Sequence, residues 1–269
     1  VELTAYALSR QALAPGEELT LTLYWRPLTE MDEDYTIYMH LFGRDGEMIG
    51  SRHSLAGMGT YPTSRWHEGE IVRDVYRLQV SPEAAAPIAA RLNVGLYLHE
   101  TMERLPVRDG LGREVLQPTL GFIKIEGPGE RVEPAYPLAY SLGPGVQLVG
   151  YDLATIEIHP GDTVPLTLYW ETAPLGTDYT VLVHLESPEG TLIGQGDGPP
   201  MAGEYPTRYW GEGEFIADTH LLQLDPQAPA GQARIYVGLY SADGQRLPVM
   251  AGEALLGDRA LVGSLDIRR

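Results

Sequence analysis

The sequence predicts an all-β protein built as two tandem antiparallel β-sandwiches. Three observations carry that expectation. Apolar and polar residues alternate with a period of two in short runs, turn signals separate the runs, and nearly every run occurs twice in the same order. Leu19, Leu21, Leu23 and Trp25 alternate with Thr20, Thr22 and Tyr24, and Val164, Leu166, Leu168 and Trp170 repeat the pattern against Pro165, Thr167 and Tyr169.

The elements follow in order. The opening Val1-Glu2-Leu3 with Tyr6 and Leu8 matches Val146-Gln147-Leu148 with Tyr151 and Leu153. "APGEELTLTLYW" (Ala14 to Trp25) matches "HPGDTVPLTLYW" (His159 to Trp170). "DYTIYMHLF" puts Tyr35, Ile37, Met39 and Leu41 on one face and His40 on the other, and "DYTVLVHLE" places His184 in the same way. The turn signals "RDGE" at Arg44 and "PEGT" at Pro188 then close a hairpin in each copy.

"YPTSRW" (Tyr61 to Trp66) recurs as "YPTRYW" (Tyr205 to Trp210), "RLNVGLY" as "RIYVGLY", and "RLPV" appears at Arg104 and Arg246. "GFIKI" closes the first copy as "GSLDI" closes the second. "SPEAAAPIAA" (Ser81 to Ala90) is rich in Ala, yet Pro87 interrupts it and its counterpart "DPQAPAGQA" cannot be helical. About seven short strands in about 125 residues point to an immunoglobulin- or fibronectin-like sandwich, with a jelly roll as the alternative. The copies span residues 1–126 and 146–269, and a connector rich in Pro and Gly with little regular structure is expected over 127–145.

Composition narrows the function. The chain has 269 residues and a net charge of −18, which excludes a nucleic-acid surface and a basic membrane helix. It contains no cysteine, hence no disulfide framework, thiolate nucleophile or zinc–cysteine site. The longest uncharged run, Pro134 to Tyr151, is broken by prolines and glycines and does not read as a membrane span. Val1 follows no initiator Met and opens no signal-peptide pattern, so a piece of a larger protein is expected. The acidic balance favours a soluble monomer when the region is excised.

Four tryptophans and a few polar residues are the candidates for function. Trp25 and Trp170 share the face of their strands' leucines and read as core. Trp66 and Trp210 lie in a long connection, where a broad indole face suits stacking on a sugar ring, although a plug at the end of the sandwich is favoured over a platform. His40 and His184 face away from the core set. If the "VGLY" strand lies alongside, Tyr97, Tyr236 and Tyr240 share that outer face, and Gly95 and Gly238 leave room for an approaching glycan. A cross-strand pair that only fills space is the commoner outcome for such residues.

Asp74 and Asp218 alternate with Val72, Tyr76 and Leu78 or their counterparts and point inward, where a loop amide, a tyrosine or the indole of Trp66 or Trp210 would hold them as structural groups. A general acid at either place would need a second carboxylate, and none is identifiable by position. The phosphate-loop, nucleophile-elbow and zinc-helix motifs are missing, so no cofactor or metal is expected. "MDED" (Met31 to Asp34) and "GDG" (Gly196 to Gly198) lack calcium-loop spacing and read as solvated acidic loops.

The combination of LTLYW, DYT, HL, YPT with a following Trp, VGLY and RLPV resembles a β-sandwich region of bacterial multi-pass membrane glycosyltransferases of the lipid-phosphate-mannose-using type. That resemblance covers Leu3 to Ile125 and Leu148 to Ile267 and rests on framework motifs. It implies a non-catalytic, extracytoplasmic accessory or recognition module, tethered to the membrane through a segment outside this sequence. Its implied partners are a cell-envelope glycan or the rest of its own parent protein. A carbohydrate-binding module with Trp66, Trp210, His40, His184, Tyr97 and Tyr240 as contacts is the first competing expectation, and a glycoside hydrolase on the same scaffold is the second.

Overall fold

In the computed structural model, which describes residues 1–268, the chain divides into two compact all-β units, Val1–Gly127 and Pro128–Arg269. In the first unit the strands are β1 (Glu2–Leu8), β2 (Ala12–Leu13), β3 (Glu18–Arg26), β4 (Tyr35–Phe42), β5 (Met48–Leu55), β6 (Val72–Gln79), β7 (Ile88–Leu98), β8 (Glu103–Arg104) and β9 (Thr119–Ile125). One sheet has the order β1-β3-β6 and the other β2-β9-β7-β4-β5, with β8 on the flank of β7. The pairings are antiparallel except β2 with β9, where the chain crosses between sheets and runs parallel for two residues. This is the immunoglobulin-type arrangement expected from the spacing of the turns.

The inner faces follow the period-two pattern. Leu19, Leu21, Leu23 and Trp25 of β3 meet Ile37, Met39 and Leu41 of β4, with Leu92, Val94 and Leu96 of β7 and Ile123 and Ile125 of β9. Each such side chain, fully buried, stabilises the fold by about 1.5–3 kcal/mol relative to exposure. Asp74, also buried, shares this interior and stands opposite Leu23 in the β3–β6 register.

The second unit contains β10 (Tyr136–Leu142), β11 (Val146–Leu153), β12 (Glu157–Ile158), β13 (Thr163–Glu171), β14 (Tyr179–Glu186), β15 (Leu192–Gln195), β16 (Phe215–Leu224), β17 (Gly231–Ser241), β18 (Val249–Ala251), β19 (Ala254–Gly257) and β20 (Ala260–Ile267). Here β15 pairs with β14 on one side and β16 on the other, so the two sheets join into one continuous ladder.

The segment expected to be an irregular connector contains β10, which pairs with β11 and with β18. The residues before it are also held within this unit. The Pro128 carbonyl accepts from Phe215 N at 2.7 Å, Arg131 bonds Glu171 at 2.8 Å, and Asp152 accepts from Ala135 N at 2.7 Å. Prolines and glycines marked the segment as lacking its own periodicity. They did not exclude edge pairing, because Pro137 lies beside a register irregularity where a ladder donor is not needed.

Candidate functional site

The twice-written Tyr-Pro-Thr loop is a hydrogen-bonded plug. Pro62 leads into a 3₁₀ turn at Thr63–Arg65, and Pro206 into one at Thr207–Tyr209. Thr63 Oγ1 accepts from Tyr35 N at 2.8 Å and donates to the Glu33 carbonyl at 2.7 Å. Thr207 does the same with Tyr179 N and the Thr177 carbonyl, at 2.8 Å each. The indole N–H of Trp66 returns to the Tyr61 carbonyl at 3.0 Å, and that of Trp210 to the Tyr205 carbonyl at 3.1 Å.

The glutamate of the trailing Gly-Glu closes the motif. Glu70 accepts from Tyr61 Oη at 2.9 Å and His67 N at 2.8 Å; Glu214 accepts from Tyr205 Oη at 2.6 Å and Gly211 N at 2.7 Å. Trp66 and Trp210 retain 1% and 3% of their surface, against 3% and 0% for Trp25 and Trp170. The loop indoles pack on the core ones, with ring centroids 6.5 Å apart in the first unit and 6.1 Å in the second. Their faces are covered by protein, so the sugar-stacking role open to them in the sequence is corrected: both are plugs.

The inward aspartates anchor the turn that precedes this loop. Asp74 accepts from Gly57 N at 3.0 Å and from the Tyr76 hydroxyl. Asp218 accepts from Met201 N at 2.7 Å, His220 Nε2 at 2.9 Å and the Trp170 indole at 3.3 Å. The indole that reaches an aspartate is therefore the strand tryptophan Trp170 and not the loop tryptophan.

Burial, then the hydrogen bond and charge of Asp74, push the Tyr76 hydroxyl pKa up, so it stays a proton donor. Burial disfavours a charged His220, but its bond to Asp218 and that carboxylate's charge outweigh this, and the imidazole pKa is raised. His220 also bonds the Gly196 carbonyl at 2.9 Å, so both ring nitrogens are engaged.

His40 and Tyr97 do share the outer face of the β2-β9-β7-β4-β5 sheet, and a third residue joins them. His40 Nε2 lies 2.9 Å from His53 Nε2, and His53 Nδ1 lies 3.0 Å from Tyr97 Oη. Tyr38 packs beside His40 with centroids 4.9 Å apart, and the Arg104 guanidinium sits 4.8 Å above the Tyr38 ring. Burial first, then the nearby His53 and Arg104 charges, lowers the pKa of His40 and keeps it neutral.

The second unit holds a matching chain. His184 Nε2 lies 3.5 Å from Asp197 Oδ1, and burial followed by the charge and hydrogen bond of Asp197 raises the Tyr240 pKa. Tyr236 lies opposite His184, with Arg259 4.3 Å over its ring.

The glycines on this face do not open it to a ligand. A Cβ on Gly95 would fall 2.5 Å from Tyr38 Oη, and one on Gly238 2.9 Å from the Asp258 carbonyl. They admit protein atoms rather than an approaching glycan.

His53 and Asp197 were not visible as partners in the sequence. A register irregularity between Leu41 and Phe42 shifts the β4–β5 pairing, which brings His53 opposite Tyr38. Asp197 belongs to the "GDG" stretch read as a solvated loop, and it accepts Val183 N at 2.9 Å in place of a ladder carbonyl. No family model and no curated protein sequence matches the chain.

Proposed function

We propose that this chain is a non-catalytic accessory region of a larger, extracytoplasmic protein of a glycan pathway, serving as a structural and recognition module. One observation carries the reading. The inward carboxylates are held by structural donors, and the repeated Tyr-Pro-Thr signature closes the ends of two sandwiches. A glycosidase needs one carboxyl to deliver a proton and another placed across the scissile bond. Asp74 and Asp218 sit in separate sandwich interiors, each bound to a turn amide. The surface left for recognition is the solvent-facing edge of the His–Tyr sheet face at His53, rather than the filled spaces over Gly95 and Gly238.

The test is a panel of envelope polysaccharides incubated with the native chain and with the Asp74→Asn and Asp218→Asn variants, read for both retention and reducing ends. Retention without turnover supports the proposal. Glycan hydrolysis abolished by either variant, with its fold intact, replaces it with the hydrolase reading.

A further inference from the structure

We propose that His40 and His53 form a binding site for a transition-metal ion on the outer sheet face of the first unit, with copper(II) preferred over zinc(II). Their facing nitrogens are 2.9 Å apart. Two nitrogen ligands at right angles on one metal, each about 2.05 Å from it, stand about 2.9 Å apart, whereas tetrahedral ligands at that length stand about 3.3 Å apart. That distance is a hydrogen bond between the two rings, so a metal ion would replace the proton they share, and the spacing suits cis positions of a tetragonal ion. The ring planes are inclined by 44°, and the adjustment that aims both lone pairs at one point falls to His53, the exposed member.

Two further features support the site. Tyr97 Oη stands 3.0 Å from His53 Nδ1. With the proton on Nδ1, His53 presents a lone pair at Nε2, and an outer-shell hydrogen bond of this kind orients metal-binding imidazoles. The second copy holds a related arrangement: His184 takes the place of His40, Asp197 that of His53 and Tyr240 that of Tyr97. A metal-ligating residue type is thus kept at each of the first two positions. In the second unit Asp197 Oδ1 is already engaged by Val183 N, so the first unit is the stronger site. Among the described residues no third His, Cys, Asp or Glu closes on the pair, which leaves the other positions to water. The net charge of −18 draws divalent cations to the chain as a whole, while the Arg104 charge beside His40 opposes a cation at the pair and weakens the site. This inference stands apart from the role proposed above, since it requires no glycan.

The experiment is titration of the full chain with copper(II) and, separately, zinc(II), followed by calorimetry and by electron paramagnetic resonance for copper. The expected result is one copper site per chain with two imidazole nitrogens in its spectrum and weaker zinc binding. His53→Gln, an exposed change, should weaken copper binding about 100-fold, and Tyr97→Phe about 10-fold. His184→Gln should leave it unchanged, and circular dichroism should show each variant folded. Copper affinity and spectrum unaltered in folded His53→Gln would overturn the site, as would zinc binding as tightly as copper.

Discussion

Replacing Asp218 by asparagine separates geometry from charge at a fully buried polar group of the second unit. Asparagine keeps the Oδ1 acceptor for Met201 N and can turn its amide toward His220, whose Nε2 then accepts while Nδ1–H still meets the Gly196 carbonyl. The Trp170 indole then faces an amide N–H and loses its acceptor, which costs about 1–3 kcal/mol. The charge-assisted bond to His220 becomes a neutral one, which costs about 1–2 kcal/mol more while the native histidine is protonated.

The pH dependence follows from His220. Its pKa is raised in the folded state, so its stabilisation is fully present below the unfolded value and disappears as pH climbs through the folded one. The deficit of Asp218→Asn relative to the native chain is therefore about 3 kcal/mol near about pH 5.5 and shrinks toward about 2 kcal/mol near about pH 9. Urea unfolding monitored by circular dichroism at both ends of that range measures it. A deficit that stays constant or grows with pH would refute the account of His220 as the charged partner.

Tyr76→Phe removes the hydroxyl that Asp74 accepts and should destabilise the first unit by about 1–3 kcal/mol, read from the same urea curves. Thr63→Val strands Tyr35 N and the Glu33 carbonyl, and Thr207→Val strands their equivalents, so each should cost about 1–2 kcal/mol; equal melting of native and variant chains would contradict the role of this hydroxyl. Acrylamide should quench Trp66 and Trp210 as poorly as Trp25 and Trp170, compared through single Trp→Phe variants, and ready quenching of the loop pair would reopen the platform role. Gly95→Ala forces the Tyr38 ring off its seat and should cost about 1–3 kcal/mol by thermal unfolding.

Much of the fold was legible because its signals are local. Leu19 to Trp25 alternate in the sequence as they do in the sandwich, and the duplication supplied a second reading of each strand. The inward aspartates were legible for the same reason, since Asp74 keeps the phase of Val72 and Tyr76. What escaped depends on pairing across distance. His53 reaches its partners through a one-residue irregularity in a hairpin, and no residue type announces that shift. Glu70 and Glu214 drew no reading in the sequence, yet each closes a loop by accepting a tyrosine hydroxyl. Strand β10 has no clean alternation because its pairing breaks between Pro137 and Tyr140.

The incorporation of β10 decides where the second copy can be cut out whole. A shortened chain begun at Val146, where the internal repeat starts, would discard a strand that pairs on both sides and bare the hydrogen-bonding edges of β11 and β18. Such edges recruit other chains, so that product should stick to itself. Begun at Pro128, the chain keeps β10, Arg131 against Glu171 and the Phe215 contact. For a protease, the stretch between the repeats offers few slack bonds, and nicks there should gather near Glu126 and Gly127, ahead of the first residue fastened to the second unit.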